Sequence, residues 1–191
     1  MQSPNKYLMN IGLLMLSVIF ILISCKKDNQ IPTQLLVNSD IESNDLSGWL
    51  NAGSSGSFNA EISELESFSP SHSLKIAQAI IDNSNYWYWY QKYEGKMPYG
   101  EDITLSAKIK GKNLVGQGIS IAIRGDKQDS VSQFVTTFGN IDITGTFNWT
   151  QYNFTLSELN SDVTKLWVFL IFNRSTTGTV FFDDITLTHN K

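Results

Sequence analysis

Apolar and polar residues alternate along stretch after stretch of this chain, and that period of two decides its fold class. Ile103, Leu105, Ala107 and Ile109 alternate with Thr104, Ser106, Lys108 and Lys110. Ile119, Ile121 and Ile123 alternate with Ser120, Ala122 and Arg124, and Tyr152, Phe154 and Leu156 with Gln151, Asn153 and Thr155. Successive side chains on a strand point to opposite faces, so each stretch reads as a half-buried strand. The same reasoning predicts strands at about 34–42, 56–62, 73–78, 85–93, 131–138, 164–173 and 178–188. Clusters of Gly, Asn, Asp and Ser separate them at 51–56, 82–85, 111–118, 125–129 and 175–178. No segment sustains a 3.6-residue period; 62–68 has room for one helical turn. About ten short strands at this spacing build a β-sandwich or barrel. The expected core takes Leu105, Ala107, Ile109, Ile119, Ile121, Ile123, Tyr152, Phe154, Ile185 and Leu187.

A different signal governs the start of the chain. Lys6 precedes an uncharged stretch, 7–24, dense in Leu, Ile and Met, and Ser24 stands before the only cysteine, Cys25. A positive start, an apolar middle and a small residue at the cut are the layout of a secretory signal. Leu22-Ile23-Ser24-Cys25 resembles the bacterial lipobox. The resemblance implies that Cys25 carries a diacylglyceryl group and becomes the new N-terminus. About two acyl chains hold a protein stably on a membrane, each buried CH₂ adding roughly 0.8 kcal/mol. An apolar run of about 18 residues also suits a spanning helix. Against that, Lys26 and Lys27 follow the run while only Lys6 and the α-amine precede it, so the positive-inside rule would leave the domain in the cytoplasm. A soluble export signal would leave a lone free cysteine, which exported proteins usually avoid. The expected organisation is a signal over 1–24, lipidated Cys25 with a polar tether over 25–33, and one β-sandwich over 34–191. No Asp follows Cys25 directly, Lys26 standing there, which points to the outer membrane, with periplasmic or surface exposure left open.

Without Lys6 the formal net charge of −4 becomes −5. The lysines are scattered, no basic stripe forms, and nucleic acid is not an expected partner. With Cys25 lipidated no disulfide can form, so burial or a metal must stabilise the fold. His72 and His189 are the only imidazoles and lie far apart in sequence. No Gly-x-Ser-x-Gly elbow occurs. Glu61, Glu64, Glu66, Asp126 and Asp129 are carboxylates that nothing in the sequence pairs across a cleft, as glycosidase chemistry requires. The chain reads as a non-enzyme.

Two motifs and one aromatic row carry the functional signal. Asn38-Ser39-Asp40-Ile41-Glu42 is followed by Leu46-Ser47-Gly48-Trp49, and the chain ends on Gly178-Thr179-Val180-Phe181-Phe182-Asp183-Asp184-Ile185-Thr186-Leu187. Strict alternation puts Asp183 on the face of Phe181, Ile185 and Leu187. A carboxylate there needs a cation or several donors, and Asp184 then faces outward or into a loop. Glu42, one of these aspartates and backbone carbonyls would suit calcium, which prefers oxygen ligands. The alternative is that Asp183 accepts backbone N–H bonds and Glu42 is solvated. Along Tyr86-Trp87-Tyr88-Trp89-Tyr90-Gln91-Lys92-Tyr93, one face takes Tyr86, Tyr88, Tyr90 and Lys92, and the other Trp87, Trp89, Gln91 and Tyr93. Lys92 puts the tyrosine face outside. Exposed rings with polar tips suit sugar faces, and Arg124, outward on its own strand, has paired donors for a ligand oxygen. The same tyrosines would equally serve as an interface patch for a protein partner in an envelope complex. Trp167 lies in the run 166–172, apolar on both faces, and reads as part of a doubly covered central strand rather than as a ligand residue.

Taken in order, these segments resemble a known family. The Asn-x-x-(aromatic or aliphatic)-Glu start with Gly-Trp after it, Ser73-Leu74-Lys75-Ile76, Gln91, Leu105-Ser106-Ala107-Lys108-Ile109-Lys110, Trp149-Thr150-Gln151-Tyr152 and the Phe-Asp-Asp-Ile-x-Leu ending look like the galactose-binding-like jelly rolls. That group contains carbohydrate-binding modules of families 4, 9 and 22, and the similarity runs from about Leu35 to Leu187. The resemblance implies a jelly-roll β-sandwich that binds a polysaccharide or oligosaccharide without catalysis. It also implies a structural Ca2+ held by Glu42 and Asp183 or Asp184, with a carbonyl from Ser71 or His72. Ile41 stands where the family usually has an aromatic.

Overall fold

Eleven β-strands account for the regular secondary structure of residues 33–43 and 45–189, the part of the chain that the computed structural model describes. In chain order they are β1 (Thr33–Gln34), β2 (Leu50–Gly53), β3 (Asn59–Ser63), β4 (Ser73–Gln78), β5 (Trp87–Tyr93) and β6 (Ile103–Val115). There follow β7 (Ile119–Lys127), β8 (Ser130–Thr136), β9 (Gly145–Leu156), β10 (Lys165–Phe172) and β11 (Thr177–His189). Every pairing is antiparallel. One sheet runs β3-β4-β11-β6-β9 with β1 beside β11; the other runs β2-β5-β10-β7-β8. The all-β sandwich expected from the alternation is the architecture found. Cys25 and the apolar run before it lie outside the described residues.

The inward faces of the two sheets close on one core. From the first sheet come Leu74 and Ile76 of β4, Ile103, Leu105, Ala107 and Ile109 of β6, and Val180, Phe182, Ile185 and Leu187 of β11. From the second come Trp89 of β5, Ile119, Ile121 and Ile123 of β7, and Leu166, Val168, Leu170 and Phe172 of β10. Fully burying one such side chain stabilises the fold by about 1.5–3 kcal/mol, so this layer is the dominant favourable contribution. Tyr152 and Phe154 are only half-buried against its margin, because β9 ends its sheet and has no neighbour beyond it.

The element boundaries depart from expectation where glycine misled. Gly111 sits inside β6, which runs to Val115, and the turn shrinks to 116–118. A Cβ on Gly111 would lie 2.5 Å from the Phe147 ring, so the glycine there makes room for an aromatic side chain rather than for a turn. β2 overlaps the expected turn cluster at 51–56, and β3 ends at Ser63 without a helical turn after it. Strand pairing in the expected 34–42 strand stops at Gln34. Asn38 and Ile41 adopt φ of 45° and 60°, which turns the chain so that Ile41 is buried and the Trp49 indole donates to the Asn38 carbonyl at 3.0 Å.

β11 carries the most consequential departure. Val180 and Phe182 enter the core, and so do Ile185 and Leu187, which strict alternation cannot satisfy. The register with β6 shifts between Asp183 and Thr186, and Asp184 adopts φ of 44°. This bulge adds one residue and resets the inward phase. Asp183 therefore does not share a face with Ile185 and Leu187. It lies on the opposite side with Phe181, where the loop at 66–72 buries it.

Candidate functional site

The outward face of the second sheet is assembled by register. Directly opposite residues of an antiparallel pair share a face. Trp167 of β10 stands opposite Lys92 of β5 and Arg124 of β7; Phe169 stands opposite Tyr90 and Ala122; Ile171 stands opposite Tyr88 and Ser120. The alternate residues Trp89, Gln91, Leu166, Val168, Leu170 and Phe172 point inward and are buried. Tyr86, Tyr88, Tyr90, Lys92 and Arg124 thus come together on one outward face. Trp167, Phe169 and Ile171 join them half-exposed, so Trp167 is not doubly covered. The run 166–172 is apolar at every position, which left its phase unreadable until the register with β5 set it.

These rings brace one another. Tyr86 stacks on Tyr88 at 5.9 Å between centroids, Tyr88 lies 5.6 Å from Tyr90, and Tyr90 lies 5.9 Å from Trp167. Trp167 stacks on Phe169 at 6.2 Å, and Phe169 meets Tyr88 edge-on at 5.4 Å. Pairs in this range contribute about 0.5–1.5 kcal/mol each beyond area burial, so the platform is preformed. Burial, followed by the neighbouring Tyr86 and Tyr90, raises the Tyr88 hydroxyl above its ordinary pKa and keeps it a neutral donor.

Each end of the platform has its own chemistry. At the Tyr86 end opens a depression of about 610 Å³ with Tyr86, Phe134, Ile171 and Arg174 in its walls. At the other end the Lys92 ammonium and the Arg124 guanidinium each lie 5.6 Å from the Trp167 ring centroid. Arg124 donates to Asp126 at 2.9 Å and Lys92 pairs with Glu94 at 2.8 Å. Nε of Arg124, Oδ1 of Asp126 and Nε1 of Trp167 are buried without a hydrogen-bond partner among the described residues. Leaving such a group unpaired costs about 1–3 kcal/mol, so this end of the sheet carries a local cost in stability.

The expected metal set lies on the other sheet, around the loop at 66–72. Asp183 Oδ2 accepts from the backbone N–H of Phe68 at 2.7 Å and of Ser69 at 3.1 Å. Its Oδ1 accepts from the Ser69 hydroxyl at 3.1 Å and the Asp184 N–H at 2.7 Å. Glu42 accepts from the Ser71 N–H and, at 3.0 Å, from the His72 N–H. The His72 ring lies farther off, with Nδ1 3.8 Å from Glu42. Burial pushes the Asp183 carboxyl up to about 6, against the pull of its backbone donors. Every oxygen of the two carboxylates already has a donor. No group of three or more His, Cys, Asp or Glu suited to a metal occurs among the described residues. As arranged, the two carboxylates clamp the loop at 66–72 by accepting its N–H and O–H donors.

No protein-family model matches the chain, and no curated protein is similar to it. Solved structures do match. The enzymatically active domain of bacteriophage CBA120 tailspike protein 4 aligns with TM-score 0.64 at 11% identity over 82% of this chain, which spans only 21% of the tailspike chain. TmCBM61, solved in complex with β-1,4-galactotriose, aligns with TM-score 0.55 at 16% identity, covering 83% of this chain and 99% of that one. The Stig cyclase Fisc from Fischerella sp. TAU aligns with TM-score 0.60 at 14% identity, covering 84% and 98%. At such identities the likeness carries the fold alone, and enzymes share that fold with sugar-binding modules. The chain is a jelly-roll β-sandwich of the kind found in carbohydrate-binding modules.

Proposed function

We propose that this protein binds a glycan, without catalysis, on the outward face of β2-β5-β10-β7-β8. One observation carries the reading: a braced, half-exposed row of rings, with Tyr86, Tyr88, Tyr90, Trp167 and Phe169 on one face, running between a depression and the Lys92 and Arg124 side chains. Sugars offer apolar ring faces and hydroxyl edges, and this surface offers aromatic planes flanked by donors and acceptors. The jelly roll shared with TmCBM61 supports the same reading.

Lipid anchoring through Cys25 at the outer membrane completes the proposal; its support is the lipobox-like Leu22-Ile23-Ser24-Cys25 after an apolar run. A membrane-held binding face would keep polysaccharide beside the cell envelope. The rival is a protein interface, favoured by Leu50 and Phe134, which are 58% and 52% exposed. Affinity electrophoresis of the full chain in a panel of soluble polysaccharides separates the two. Retardation that disappears in Tyr88→Ala or Tyr90→Ala is the expected result. No retardation in any polysaccharide, together with self-association or a co-purifying envelope protein, would hand the face to the rival.

A further inference from the structure

We infer that the glycan is acidic, carrying carboxylate or sulfate groups, an inference that rests on the glycan reading above. The chain as a whole is acidic, with a formal net charge of −4. Its aromatic face has the opposite balance. Lys92, Arg124 and Lys165 alternate with inward residues along β5, β7 and β10, and Arg174 follows β10 in the loop beyond Phe172. Asp126 and Glu94 lie among these cations, each already paired, with Arg124 and Lys92 respectively, and at the Tyr86 end the Asp82 carboxylate is taken up by Ser84 and Asn85. Lys165 and Arg174 form no ion pair among the described residues.

Arg174 is the most informative of the four. Its guanidinium lies 5.5 Å from the Tyr86 ring centroid, on the wall of the depression. Three other polar side chains on that wall are engaged: Ser120 donates its hydroxyl to Asn173 at 3.0 Å, the Asn173 amide donates to the Gln117 carbonyl at 3.4 Å, and the Thr136 hydroxyl donates to the Ile121 carbonyl at 3.2 Å. The guanidinium has five N–H donors in a planar fork that matches a carboxylate or sulfate with two parallel hydrogen bonds. A ring beside the fork gives a sugar plane somewhere to stack while its acid group is held. Between this end and the Lys92 and Arg124 end, the surface of Tyr88, Tyr90 and Phe169 is uncharged. The layout suits a chain whose rings lie on the platform with acid groups reaching the cations at both ends.

The test is a set of binding isotherms for the full chain on immobilised polygalacturonate and chondroitin sulfate, against their carboxyl-reduced and desulfated counterparts, at 50 and at 300 mM NaCl as working conditions. At least one acidic polymer should bind about tenfold or more tighter than its neutralised counterpart, with the advantage shrinking at the higher salt as charges are screened. Arg174→Ala should weaken the acidic polymer about fivefold or more while leaving the neutral one within about twofold, and Arg174→Lys should restore part of the loss; Arg174 is exposed, so these variants should melt like wild type. Equal binding of a polymer and its neutralised counterpart would overturn the charge inference and leave the glycan reading standing. Binding to none, acidic or neutral, across a panel that includes galactan and xylan would overturn both.

Discussion

Arg124 and Trp167 face each other across β7 and β10, with the guanidinium 5.6 Å from the indole centroid. The pair ties the charged margin of the second sheet to its aromatic centre. Cation and ring attract by about 0.5–1 kcal/mol at a partly exposed site, enough to hold both in place before a ligand arrives. Rings already ordered by their neighbours lose little freedom on binding, which favours affinity.

The two faces of β5 should separate binding from stability. Tyr90→Ala and Trp167→Ala remove outward rings and should lower glycan affinity about tenfold each, equivalent to about 1.4 kcal/mol, with a modest loss of stability, about 1–3 kcal/mol, from the ring pairs removed. Trp89 is fully buried and donates its indole N–H to the Lys75 carbonyl. Trp89→Ala should cost about 3–5 kcal/mol of stability. Denaturant melts beside affinity electrophoresis read both effects, and loss of affinity only in step with loss of fold would remove the distinction.

The Asp183 carboxyl makes an unusual contribution to pH dependence. Its pKa in the fold is raised from 3.8 to about 6, chiefly by burial. The folded state therefore holds this proton more tightly than the unfolded state does. The stabilisation is complete below the unfolded value, near pH 4, and is lost as pH rises through about 6. The unfolding free energy of wild type minus that of Asp183→Asn should accordingly fall between pH 4 and 6.5. Urea melts across that range check the sign, and a difference that grows with pH would refute it.

The clamp on the loop at 66–72 makes a prediction about calcium. Glu42 and Asp183 accept N–H and O–H donors, a clamp that can hold the loop without an ion. Chelator and added calcium should both leave the melting temperature unchanged, while Glu42→Ala lowers it by removing the acceptor for the Ser71 and His72 amides. Native-only binding would raise stability by about 2.7 kcal/mol at a hundredfold excess over Kd. A melt that shifts with calcium would restore the metal reading.

Backbone geometry at the β6–β7 turn can be tested with one atom. Gly116 has φ of 102°, and a Cβ there would lie 1.7 Å from the Ser175 carbonyl oxygen. Gly100 has φ of 75° with nothing within 4 Å of such a Cβ. Gly100→Ala should cost about 1 kcal/mol from backbone strain alone, and Gly116→Ala clearly more, about 2–4 kcal/mol. Equal losses would mean that the Ser175 segment gives way without cost.

Period-two alternation determined the all-β class, the inward residues of β6 and β7, and the split of Tyr88 and Trp89 to opposite faces, because each of these follows from local side-chain direction. Tertiary structure decided what alternation cannot encode. The run 166–172 is apolar on both sides, so only hydrogen-bonded register against β5 and β7 placed Trp167 beside Lys92 and Arg124. One extra residue at Asp184 reversed the parity of β11, moving Asp183 out of the core and under the 66–72 loop, and no periodicity announces a bulge. Arg174 reaches Tyr86 from a loop after β10, a contact set by where the chain turns rather than by any motif. Local pattern fixes which way a side chain points, while register, bulges and loop paths fix which side chains meet.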